Sequence, residues 1–288
     1  MKDGTRRKTR IIGSVGGCLV LCLVAMTSAH AQAQPGRPQR RPAEGSRDLG
    51  NVADAINRVR QGDFLAVHVE EIVEAGAVEA IPALEQQFSR SIDPKHEDDL
   101  DPGNKGKIAS ALVRLGDQNP TYWDFLVTQA MPAIESDAPY PGSFDSQGKS
   151  VPRTLSPEFV AWARIHHVAP ESAAETVLYK LPGRLLLLGE TGDPRGLPLL
   201  RRAILSPNYA IQAVGAKGLA KLRDGESIAL IVEACRKAPA DASPAIAEAL
   251  IYFDDRQAQT AAERFLPKDL LQALRAEKRA PMRDPFSQ

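Results

Sequence analysis

An aspartate recurs at a spacing of 31 residues: Asp193 in LGETGDPRG, Asp224 in KLRDGES and Asp255 in YFDDRQ. The apolar residues keep the same interval. Leu188, Leu219 and Leu250 stand five places before the aspartates; Leu200, Ile231 and Ala262 stand seven after, and Ile204, Cys235 and Leu266 eleven after. Such spacings line one face of a 3.6-residue helix. A unit of this length is two helices and a turn, too small to bury its apolar face without a neighbour. A chain built this way is predicted to be all-α, with its units stacked in series.

The interval extends toward the N-terminus with less regularity. Asp117 in VRLGDQNP has Leu112 five places before it, although the following TYWDFL is displaced by about one place. Ala77 in EAGAVEAIPAL has Ile72 five before, then Ile81, Leu84 and Phe88 at four, seven and eleven after. About six helix pairs result, over residues 49–131 and 156–282. Between them, residues 132–155 (PAIESDAPYPGSFDSQGKSVPRTL) carry no helical period and read as an irregular insertion. Helices resume with SPEFVAWARIHHV and ESAAETVLYKL, and KDLLQALRAEKRA reads as a last capping helix.

The joint itself has a physical reading. Gly192 suits the left-handed conformation that ends a helix. Asp193 is expected to cap the next helix by accepting from its free N–H groups, and Asp224 and Asp255 to do the same. Pro194 fits the first turn, where its missing donor costs nothing. LGETGDPRGLPLL followed by YAIQAVGAKGLAKLRD resembles the HEAT-like repeat of the phycobilisome-lyase type, closely over residues 183–266 and loosely over 50–116. That resemblance implies a right-handed α-solenoid of antiparallel helix pairs, the second helix of each pair lining a concave face. Such repeats occur in scaffolds, adaptors and a few enzymes, so the resemblance speaks to fold more than to function.

The N-terminus is a separate object. Lys2, Arg6, Arg7, Lys8 and Arg10 precede IIGSVGGCLVLCLVAM and the small-residue sites Ala29-His30-Ala31 and Ala31-Gln32-Ala33. This order reads as a secretory signal peptide over residues 1–31, with an uncleaved membrane anchor as the alternative. Residues 32–48, QAQPGRPQRRPAEGSRD, are Pro- and Arg-rich with little to bury and read as a disordered leader. Removing residues 1–31 leaves 31 basic and 35 acidic residues, a balance that gives no reason to expect nucleic acid as a partner. Cys235 alone of the three cysteines remains, so no internal disulfide can form.

Candidate chemistry is sparse. The stretch from Gly142 to Ser150 has five residues between its glycines where a phosphate loop needs four, and no strand pattern precedes it. Asp93, Glu97, Asp98, Asp99 and Asp101 match no EF-hand spacing. His166 and His167 are adjacent and point apart on a helix, which argues against a shared metal ion. Cys235 falls on the buried stripe and reads as a core residue. No catalytic constellation, metal site or cofactor is expected.

What remains is a surface. The residues seven and three places before each aspartate lie one turn apart on the second helix: Ser110 and Arg114, Leu186 and Glu190, Lys217 and Lys221, Glu248 and Tyr252. Their chemistry varies while the core positions hold, as expected of a partner-binding face or of an ordinary solvated one. The sequence therefore reads as an exported, monomeric, non-catalytic protein-interaction scaffold or adaptor in the periplasm or outside the cell. It would touch a membrane only through an uncleaved signal. A periplasmic small-ligand-binding module, or an accessory subunit of an envelope enzyme, is the alternative.

Overall fold

The recurring apolar positions are core positions. In a computed structural model that describes residues 49–62, 66–90 and 102–279, Ile72, Leu112, Leu188, Leu219 and Leu250 are all buried, as are Leu84, Leu200, Ile231 and Ala262 seven places after the joints. Phe88, Ile204, Cys235 and Leu266, eleven after, are buried too. The described residues are mostly helical. The signal peptide at 1–31, the leader at 32–48 and the acidic stretch from Asp93 to Asp101 lie outside them.

In chain order, α1 (Leu49–Arg60) packs on α2 (Ala66–Ala75), and α3 (Ile81–Phe88) on α4 (Pro102–Arg114). α5 (Pro120–Ile134) is followed by a hairpin of β1 (Gly142–Phe144) and β2 (Ser150–Leu155), then by α6 (Pro157–Ile165) and α7 (Pro170–Glu175). A π-helical turn, Thr176–Lys180, leads directly into α8 (Leu181–Glu190), and it is α8 that packs on α5. Proline at position 182 has no N–H and crowds the preceding turn; a one-turn π bulge just before it absorbs that conflict. The series continues with α9 (Leu197–Ala203) on α10 (Tyr209–Lys221) and α11 (Ile228–Lys237) on α12 (Ser243–Ala247), which runs on as a 3-10 segment, Glu248–Tyr252. The last two helices are α13 (Arg256–Phe265) and α14 (Lys268–Arg279).

First helices touch first helices: α1 meets α3, α5 meets α9, and α11 meets α13. Second helices likewise form a row, α2 beside α4, α4 beside α8, α8 beside α10, and α10 beside the Glu248–Tyr252 segment. In that row α8 and α10 approach closely at Gly189 and Gly218. A Cβ on Gly218 would stand 2.7 Å from Leu200 Cδ2 and 3.2 Å from the Gly189 Cα, so only glycine permits the contact between α8 and α10.

The insertion expected over residues 132–155 is more structured than its composition predicts, and its first three residues, 132–134, still belong to α5. Its hairpin is short and exposed, and β2 carries Pro152 and a left-handed Arg153, so no alternating pattern betrays it. The tip is fastened far along the chain. Lys149 Nζ lies 2.9 Å from Asp241 Oδ1, Ser150 N donates to Asp241 Oδ2 at 2.9 Å, and Asp241 N donates to Gly148 O at 3.0 Å. At its base, Tyr140 and Phe144 stack on each other, and Tyr209 at the start of α10 meets the first ring tilted and the second edge-on. The hairpin thus reaches from the end of α5, over α10, to the loop between α11 and α12.

Candidate functional site

Four of the five joints begin with a chain reversal at a left-handed residue; before Asp255 the helix instead ends at an extended Phe253. The amide of Ala77 donates to Ile72 O, that of Asp117 to Leu112 O, and that of Asp224 to Leu219 O, each at 3.0 Å. The five-residue interval in the sequence is therefore the six-to-one hydrogen bond of a helix C-terminus. It needs a left-handed residue just before its donor, and Gly76, Gly116 and Arg223 supply it. At Asp193 the backbone bond is replaced. Thr191 Oγ1 donates to Leu188 O at 2.7 Å and accepts from Asp193 N at 3.2 Å, with Gly192 left-handed between them.

The three aspartates divide. Asp193 accepts from Arg195 N at 2.9 Å, and Asp255 from Ala258 N at 3.0 Å, as helix caps do. Asp224 makes no side-chain capping bond. It holds the guanidinium of Arg201, at 2.7 and 2.8 Å, and accepts the hydroxyl of Ser227. Arg201 belongs to α9, one helix pair earlier, so Asp224 ties neighbouring pairs instead of starting a helix. Those bonds hold its carboxyl below the usual range, as the bonds from Arg195 do for Asp193.

The row of second helices brings most of the candidate surface residues together, though chiefly with one another. Lys217 Nζ lies 2.9 Å from Glu248 Oε2, and both side chains are about nine-tenths buried. This is an internal ion pair linking α10 to the next segment. Arg114 spans to α2, where Glu70 accepts both its terminal nitrogens at 2.8 and 2.7 Å. Ser110, one turn earlier, is buried, and its Oγ finds no hydrogen-bond partner among the described residues. Tyr252 is half-buried against the core.

Glu190 and Lys221 are the open part of the row. The Glu190 side chain reaches solvent but has protein on most sides, and that loss of bulk water pushes its carboxyl above the ordinary range. Arg114, Lys221 and Lys107 pull the other way without cancelling the shift. Lys221 folds back over the preceding joint, its Cε 3.4 Å from where a side chain on Gly192 would begin. Glu70, Arg201 and Asp241 carry ionic contacts that sequence spacing did not reveal, because their partners are 44, 23 and 92 residues away.

Elsewhere, the rings of Phe159 and Trp162 stack, His166 lies tilted against Trp162, and Trp162 Nε1 donates to Asp137 Oδ1 at 2.7 Å. The Gly142–Ser150 stretch is the hairpin tip, with its lysine committed to Asp241. Burial pushes the Cys235 thiol up to about 12. Among the described residues, no three His, Cys, Asp or Glu side chains group as a metal site, and no helix is long and apolar enough to cross a membrane. No family model matches the chain, and no curated protein matches it.

Proposed function

We propose that this chain is an exported, HEAT-like α-solenoid that works as a non-catalytic protein-interaction scaffold. The observation that carries this reading is the row of second helices cross-tied by ions: Glu70 to Arg114, and Lys217 to Glu248. Ties between consecutive helices fix the spacing of whatever the row displays, so a partner meets a surface already ordered before binding. On this reading Glu190 and Lys221 are the contact residues. Ser110, Arg114, Lys217 and Glu248 are the frame beneath them, and Tyr252 lies at its edge.

The test uses the full chain as bait in envelope extract, beside a variant carrying Glu190→Lys and Lys221→Glu. A stoichiometric protein partner retained by the parent and lost by the exchange variant supports the reading. Equal capture by both overturns the assignment to this face. Lys217→Glu is unsuitable as a probe, since it would oppose two buried carboxylates. Export is tested by intact mass, which should match a chain shortened at Ala31 or Ala33.

A further inference from the structure

A cluster of three arginines, two of them without an ion-pair partner among the described residues, lies in the other row. Between α11 and α13 is an open hollow of about 570 Å³ lined by Val232, Ala261, Phe265 and one carboxylate, that of Asp255, with Arg236, Arg256 and Arg264 around it. The carboxylates nearby are committed elsewhere. Asp255 caps α13 through Ala258 N at 3.0 Å, and Glu263 pairs with Arg275 at 2.9 Å. Glu233 reaches Arg236 only across an exposed 3.5 Å. Arg264 lies 5.2 Å over the Phe265 ring, and no carboxylate among the described residues pairs with it or with Arg256.

A guanidinium beside an apolar surface is suited to a carboxylate or phosphate, which it holds bidentately while its flat face stacks. The spacing selects the kind of anion. Arg256 and Arg264 are eight residues apart on one helix, about 12 Å along its axis, further than one phosphate or carboxylate group can bridge. Successive acidic side chains on a peptide do span it, and the apolar lining offers burial to the residues between them. A planar headgroup layer would meet the rim arginines but leave the hollow empty. We infer that this hollow binds an acidic, partly apolar peptide segment of a partner protein. Its carboxylates would rest on Arg236, Arg256 and Arg264, and its apolar side chains against Val232, Ala261 and Phe265. This surface is distinct from the row of second helices, and the inference holds whether or not that row binds a partner.

The experiment is fluorescence anisotropy of the full chain with a labelled peptide of about ten residues, Glu and Leu at helical spacing. Saturable binding that weakens as salt rises is expected. Arg256→Glu with Arg264→Glu should weaken it by at least about tenfold. Arg164→Glu, an exposed change on α6, should leave it unaltered, and unchanged melting curves for both variants show that folding is intact. Arg256→Gln with Arg264→Gln serves if the reversal variant melts early. No binding by the parent, or equal binding by the double variants, overturns the inference. So does a preference, through the same arginines, for phosphatidylglycerol vesicles over the peptide.

Discussion

Arg223 occupies the place that Gly192 holds one repeat earlier, and both are left-handed, at φ values of 51° and 64°. The joint at Asp224 demands that conformation from whichever residue precedes the aspartate, and an arginine adopts it only under strain. Arg223→Gly should therefore stabilise the protein by up to about 1 kcal/mol, relief of strain outweighing the added freedom of the unfolded chain; denaturant melts would read it. The ion pair of Lys217 and Glu248 makes an opposite demand. Lys217→Met leaves Glu248 buried without a countercharge and should cost about 3 to 5 kcal/mol. Lys217→Met with Glu248→Leu should recover that loss and match the parent in denaturant melts. A double variant as unstable as the single one would mean that the pair does not couple these helices.

At the scale of elements, glycine decides how near α8 and α10 can lie. Gly218→Leu has no room beside Leu200 and the Gly189 backbone, and should cost about 1 to 3 kcal/mol as the helices part. Gly183→Ala, with nothing within 4 Å of the new Cβ, should instead gain up to about 1 kcal/mol from helix propensity. Thermal melts of the two, opposite in sign, test the geometry. The helices and their buried faces were legible because periodicity records burial, and Leu188, Leu219 and Leu250 repeat it without a break. The pairing of α5 with α8 was not, since 46 residues, the hairpin, α6 and α7 among them, separate the two and local pattern carries no address. Nor was the fate of the candidate surface: Lys217 and Glu248 look like solvated residues in sequence, and only stacking shows that each neutralises the other.

For the molecule as a whole, acid is the informative variable. The carboxyls of Asp193, Asp224 and Asp241 are all held below their usual range by Arg195, Arg201 and the Ser150 amide. Each contributes stability that is complete above the unfolded value near pH 4 and lost as pH falls through the lower folded value. Glu190 has the opposite sign: its carboxyl is raised by desolvation, so its ionisation works against folding as pH climbs past the unfolded value. Glu190→Gln should stabilise the protein at neutral pH and lose that advantage near pH 3, a crossing that paired chemical denaturation curves would show.

The hairpin alters how such a molecule comes apart. Helix pairs that touch only their neighbours can fray from either end, one pair at a time. The tie from Lys149 to Asp241 closes a loop of chain that contains α6 to α11, so that stretch loosens fully only once the tie opens. Asp241→Ala would break the tie without touching a helix, and it should split one melting transition, followed by circular dichroism, into two. The insertion is then less an ornament on the stack than the reason its two halves share a fate.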